Sequence, residues 1–439
     1  MDQRARHIPG AAASPNPHRR TDHGGVMNKN AGPRPAISWR RNLYALWIAQ
    51  MLTIIGFSLR TPFLPFYIKD LGAESFASQA LWAGVINAGG AAVMAVSAPL
   101  WGFVADRYGR KPMVVRAMLA GSLTIGLMSL ATSPWHLLIL RFIEGGFTGT
   151  VTASTTLVAA TTPREQMGFG LGMMQMAVFS GGSVGPLIGG VLADQIGYRP
   201  TFVVAGLMLF IGGVIVLTQV REEFTRPARG TIDEQPSHRL RALLLSSSML
   251  AMIAVMLALR VASSAIQPIM PLYVENLAHS AAAVATLSGI TLGIAGLTSA
   301  FASITLGRLA DRIGQRWVLI ACAIGVGLLY LPQAFAGSVT QLIILQGLFG
   351  LAAGGVMPTA NAIVAHLTPA ERRGAVFGFT AAATSLGGFI GPLGGSSIAA
   401  SFDMSYVFLS SGILMLVVGV WVARAIRHSD IDANPAETA

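Results

Sequence analysis

Glu144 is the one acidic residue of this chain that falls deep inside a long apolar run. It stands about ten residues in, which at 1.5 Å per residue is roughly 15 Å down, near the midplane of a bilayer. Arg141 lies one helical turn before it and shares its face. An ionised pair in hydrocarbon costs on the order of 3 kcal/mol per charge on insertion scales, so the pair must face an internal cavity. Two kinds of chemistry fit these residue types. In one, Glu144 takes up and releases a proton while Arg141 keeps its proton affinity within reach of cellular pH. In the other, the two form a permanent salt bridge that ties helices together. Arg260 lies mid-run with no acid nearby in sequence, which calls for a wet pocket or an anionic partner, and Glu144 is the partner expected. Arg60 sits about two or three turns from the end of the first run, where snorkelling and a pocket role fit equally.

The elements that must position these residues are membrane helices. Of 439 residues, 53% are apolar and 11% charged, against about a quarter charged in soluble domains. Twelve spans are expected, over 42–68, 80–104, 112–132, 134–158, 168–193, 200–220, 243–274, 283–309, 316–336, 340–365, 374–400 and 404–427. The net charge of +11 comes from arginines at the ends of these runs rather than from one basic patch, so nucleic acid is not an expected partner. Arg40, Arg41, Arg107, Arg110, Lys111, Arg116, Arg164, Arg308, Arg312, Arg316, Arg372, Arg373, Arg424 and Arg427 fall on one side, with Asp70, Glu74, Asp194, Glu275 and Asp403 on the other. Both termini are therefore expected in the cytoplasm of a multi-pass cell-membrane protein. Residues 1–37 read as a disordered tail, 38–220 and 243–428 as two six-helix halves, 221–242 as a charged linker and 429–439 as a second tail. Cys322 is the single cysteine and forms no disulfide within the chain.

The halves repeat one another. Gly102-Phe-Val-Ala-Asp106-Arg107-Tyr-Gly109-Arg110-Lys111-Pro112 joins two spans by a short turn, and Gly307-Arg-Leu-Ala-Asp311-Arg312-Ile-Gly314 echoes it. Gly109 turns the chain, and Pro112 suits the first turn of the next helix. Asp106 faces the negative end of its own helix dipole, so it needs a cation or another helix's N-terminus, which makes it a candidate latch. Pro62…Pro65…Tyr67 is echoed by Pro268…Pro271…Tyr273, and Gly181, Gly185, Pro186, Gly189 and Gly190 by Gly387, Gly391, Pro392, Gly394 and Gly395. Small residues four apart allow close backbone contact, and Pro186 permits a bend, so spans 5 and 8 are expected to pack and pivot there. Six-span halves repeated in parallel are a transporter plan.

These residues resemble the major facilitator superfamily, and within it the twelve-span drug:proton antiporter branch that includes multidrug and tetracycline efflux pumps. Gly102 to Lys111 is similar to the loop signature between spans 2 and 3, Arg141-Phe-Ile-Glu144-Gly145 to the span-4 signature, and Gly181 to Gly190 to the antiporter signature of span 5. Glu144 stands where the branch often has Gln, and Gln315 and Trp317 replace the Arg110 and Pro112 of the first half. The resemblance implies an all-α fold of two pseudo-symmetric six-helix bundles and export of small amphipathic molecules by alternating access. It implies a proton gradient as energy source, with no cofactor or metal. It further implies a latch in which Asp106 meets the start of span 11 near Gly374, with Gly102, Arg107, Gly109, Arg110 and Asp311 completing the network. Because spans 1, 4, 7 and 10 line the cavity in that family, Gln50, Arg60, Arg260, Gln267, Gln346 and Asn361 become substrate-pocket candidates. A monomer is expected. The rival expectation is a proton symporter importing a small organic anion, with Arg260 and Arg60 as its binding charges. The sequence has no phosphate-binding Gly-Lys-Ser/Thr loop, metal-ligand cluster or nucleophile triad, so neither ATP drive nor an enzyme is expected.

Overall fold

The computed structural model describes residues 38–147, 149–222, 245–278, 283–369 and 373–425, without the side chains of 106, 164 and 373–375. The expected tails, the linker beyond Glu222, the Asp106 carboxylate and its expected place beside Gly374 lie outside the described residues. The first half comprises α1 (Trp39–Leu59), α2 (Leu64–Asp70), α3 (Phe76–Tyr108), α4 (Lys111–Met128), α5 (Pro134–Phe147), α6 (Thr150–Thr161), α7 (Met167–Ile196) and α8 (Tyr198–Gln219). The second comprises α9 (Ser247–Ile266), α10 (Met270–Ala278), α11 (Val284–Ile313), α12 (Gln315–Gln333), α13 (Val339–Leu367), α14 (Arg373–Ser401) and α15 (Met404–Ala425). Ten of these are long and apolar enough to cross a membrane. Expected span 3 is α4 and span 4 is α5 followed by α6, so each of the twelve expected passes is present as helix.

Three passes that read as continuous in sequence are broken. Pro62 and Pro268 lack an N–H and disfavour helix at the residue before them, so α1 stops at Leu59 and α9 at Ile266 before the chain restarts as α2 and α10. Between α5 and α6, Gly149 takes φ 127°, a conformation that L side chains rarely adopt. The tyrosine of each Pro-Pro-Tyr repeat fixes the piece after the break. Tyr67 Oη donates to the Met128 carbonyl at 2.9 Å, and Tyr273 Oη to the Gln333 carbonyl at 2.7 Å. Each thereby adds a second donor to a carbonyl in the last turn of a neighbouring helix, which also accepts from the backbone three residues on. Phe63 stacks on Tyr198 at 5.6 Å and meets Phe202 edge-on at 5.3 Å, contacts of about 0.5–1.5 kcal/mol per pair that hold the residues after Arg60 in place.

The stretch that reads as a loop after Gly102 is mostly helix. α3 continues to Tyr108, and only Gly109, at φ 96°, and Arg110 make the turn. Glu222, which reads as linker, caps the next helix by accepting from the backbone N–H groups of Arg110 at 2.9 Å and Lys111 at 2.8 Å.

The halves meet along two seams, α7 against α11 and α3 against α14. Close contact runs from the end that carries Asp70, Asp194 and Glu275 to mid-helix, where Gly293 and Gly296 meet Leu187 and Ser183. Along it, a Cβ on Gly190 would fall on the Ala285 backbone, one on Gly289 on the Pro186 carbonyl, and one on Gly84 on Ser396. Toward the arginine-rich end the same helices are bare: Val96, Leu100 and Phe103 of α3 and Phe301 and Ile304 of α11 are exposed. Gly102 and Gly307, equivalent in the repeat, both have open space where a Cβ would stand. The protein is thus shut at its acidic end and splayed at its basic one.

Candidate functional site

Glu144, one turn from the end of α5, is 3% exposed and bound by two guanidinium groups. Arg60 donates to it twice, Nη1 to Oε2 at 2.8 Å and Nη2 to Oε1 at 3.0 Å, while Arg141 Nη1 donates to Oε1 at 2.6 Å. The bidentate fork is the strong geometry for an arginine and a carboxylate. Local sequence explains each member. Arg60 is released from α1 by the break that Pro62 imposes, and its guanidinium turns inward. Arg141 precedes Glu144 by three residues and lies on the same face of α5. Opposite them, Gly90 of α3 leaves room: a Cβ there would stand 3.0 Å from the Arg141 guanidinium, and Gly145 packs on the Gly90 carbonyl.

The expected partner of Glu144 was Arg260, and this is corrected: Arg60, from the same half, occupies that place. The equal alternative for Arg60, a head snorkelling to the interface, is also overturned, since the residue is 7% exposed and its head points to the midplane acid. Arg260 lines the same cavity and is exposed to it. Its stem lies on α14, where a Cβ on Gly387 would come within 3.0 Å of Arg260 Cβ.

That cavity, of about 390 Å³, lies between the halves and is walled by Arg60, Arg141, Glu144, Arg260, Gln267 and the first residues of α6. Three arginines and one glutamate give its wall an excess of positive charge. Gln267 therefore stands where the sequence placed it. Gln50, Gln346 and Asn361 do not. Gln50 is fully buried in α1 with its amide unpartnered among the described residues, Gln346 donates to Gln333 at 3.1 Å in the second half, and Asn361 is half-buried on α13, outside the cavity wall. Asn87 of α3, a polar residue within a span and so a candidate substrate contact from sequence, lines the cavity, as do Thr150 and Thr152, which sequence reasoning passed over. The signal for the threonines was Gly149, whose positive φ opens the start of α6 toward the site.

The glycine signature of α7 serves two neighbours, the expected α11 and, in addition, α1. Gly181, Gly185 and Gly189 pack on α1, against Met51, Ile55 and Leu59, and so fix the helix that ends at Arg60. Gly190 and Pro186, with Ser183 and Leu187 between the glycines, face α11, on Ala285, Gly289, Gly293 and Gly296. Of the latch residues, Arg107 lies over the Tyr108 ring at 5.7 Å, Gly109 N–H caps Ala105 at 2.9 Å, and Asp311 is exposed in the last turn of α11.

A family model described as Major Facilitator Superfamily matches residues 46–299 and 252–438. The chain is 33% identical to "Multidrug resistance protein MdtG" of Enterobacter lignolyticus over 401 residues, 91% of this chain and 96% of that protein. It is 32% identical to the protein of the same name from Escherichia coli O81, over 90% of this chain and 97% of that one. Among solved structures it is similar to a bacterial homolog of the human lysosomal transporter Spinster in an inward-facing, occupied conformation. That match has a TM-score of 0.71 and 15% identity over 92% of this chain and 100% of that one, a likeness of fold.

Proposed function

The chain belongs to the Major Facilitator Superfamily, and from that membership we propose a proton-coupled exporter of small amphipathic drugs or metabolites that works by alternating access. The observation that carries this reading is a titratable carboxylate, Glu144, held between two arginines on the wall of the cavity between the halves. The name of the MdtG relatives supports drugs as the cargo. With Glu144 ionised, Arg60 and Arg141 are tied to it. A proton on the carboxyl group cancels that charge, frees the Arg60 fork and changes the balance between the two states. The acidic, closed end is read as the outside and the arginine-rich, open end as the cytoplasm, which puts both termini inside the cell. The protein acts in the cell membrane as a monomer and draws on the proton gradient, without cofactor, metal or nucleic acid.

Inverted vesicles test the direction. Acidifying their interior should drive a fluorescent amphipathic dye inward, and a protonophore should release it. Dye that stays outside, or accumulation that ignores the protonophore, overturns export. At the cytoplasmic latch, Asp106→Asn should keep the protein in the membrane and lower efflux on the order of tenfold, the effect of a lost charge at a helix terminus of up to about 2 kcal/mol. Drug resistance equal to the parent's at matched protein amount would remove the latch.

The positive excess of the cavity favours a second reading, proton symport of a small organic anion. Adding a proton to such a wall strengthens its attraction for an anion, so the two ligands would bind together rather than in turn. Labelled organic acid entering right-side-out cells down the proton gradient, with no dye export, is the result that selects it.

A further inference from the structure

Asp194 takes no part in the site above, yet it reaches across the seam. It stands in the last turn of α7, and its Oδ2 accepts from the Thr286 backbone N–H at 2.7 Å and from Thr286 Oγ1 at 2.6 Å, on α11 of the other half. Thr286 is the third residue of α11, so its N–H is one of the donors a helix leaves unpaired at its start. Ala283, in the left-handed region at φ 59°, is the N-cap and supplies no side-chain acceptor. The missing cap comes from the opposite half of the protein instead. The dipoles agree: a carboxylate is disfavoured at the C-terminal end of its own α7 and favoured at the N-terminal end of α11.

The backbones are in close contact there, because a Cβ on Gly190 would meet Ala285 and Thr286. Among the described residues, no such carboxylate bond crosses the other seam, where α3 is capped by its own Ser75. The position that the repeat pairs with Asp194 is Ala400, which has no side chain that can cap. Lys69 and Glu275 also join the halves at this end, at 3.4 Å, but both are well exposed and such pairs contribute little.

We propose that Asp194 is a clasp that holds the acidic end of the two halves shut, and so a residue that sets how often the cavity opens on that side. When it opens, α7 and α11 part at this point, Asp194 returns to water and α11 loses its cap. The proposal rests on the alternating-access reading, with the acidic end outermost.

The test reads accessibility rather than transport. In the full chain carrying Cys322→Ala and Gln267→Cys on the cavity wall, a membrane-impermeant maleimide added to intact cells labels the cysteine when the outer end opens. Asp194→Ala should raise the labelling rate about fivefold, the ratio that loss of a helix N-cap corresponds to. Thr286→Val keeps the backbone donor and removes the hydroxyl, so its rise should be smaller, and the double variant should not exceed Asp194→Ala by the full single effect. Asp194→Asn keeps the shape and guards against a folding defect; it should fall between parent and alanine. Labelling unchanged or slower in both the alanine and asparagine variants, at matched surface amount, overturns the clasp. If the parent chain, with Gln267 and Cys322 intact, exports no dye while the cysteine variants still show the labelling shift, the export reading fails and the clasp stands.

Discussion

In inverted vesicles, Glu144→Gln is expected to lower gradient-driven accumulation of dye by about 100-fold and to remove its dependence on pH. Glutamine keeps the size of the side chain and loses both the charge and the exchangeable proton. Arg60 and Arg141, each bound to that carboxylate, are left facing one another across a site that is nearly closed to solvent. Removing one partner of a buried ion pair costs about 3–5 kcal/mol, because the remaining charge is uncompensated. Every tenfold in an equilibrium is about 1.4 kcal/mol, so a shift of this size populates one conformation almost exclusively. Glu144→Asp separates charge from reach: it retains the proton but, one methylene shorter, cannot hold both arginines at 2.6–3.0 Å. It should keep a pH dependence at reduced rate. Accumulation in the glutamine variant that still follows pH would place proton coupling on another residue.

Gly190→Val is expected to cut efflux at least about tenfold by propping the seam between α7 and α11 open. The atoms that a side chain would meet are backbone of Ala285 and Thr286, which cannot swing away as a flexible side chain does. Overpacking of this kind costs about 1–3 kcal/mol when neighbours can shift, and here the relief available is separation of the two halves. The cavity cysteine described above should accordingly label faster from outside. Gly182→Val is the matched control, because the same helix has open space at that position, and it should stay within about twofold of the parent. Equal transport by the two valine variants would show that close approach at Gly190 does not matter to the cycle.

The passes were legible because hydrocarbon demands long apolar runs, and runs of that length leave a strong mark on composition. The breaks inside them were not. A window wide enough to detect a span averages over Pro62, Gly149 and Pro268, and proline is tolerated often enough in membrane helices that its presence does not by itself announce a break. Missing the break after Leu59 hid the role of Arg60, since in a continuous helix it reads as a residue near the interface. Glu144 and Arg141 were visible as a pair because one turn of helix fixes their relation. Gln346 reads as a ligand group by span number alone, and the buried Gln333 that engages it shows that a polar residue in a span more often serves another helix.

The sequence alone determined the twelve passes, their repeat, the intramembrane acid and the glycines, because each is enforced locally by solvent, by backbone conformation or by spacing along one helix. Tertiary structure decided which arginine meets Glu144, which helix the glycine ladder of α7 packs on, and which carboxylate caps a helix across the seam. Those pairings join residues far apart in the chain, Arg60 with Glu144 and Asp194 with Thr286. They depend on how long side chains reach once helices are packed, a quantity that no local pattern encodes.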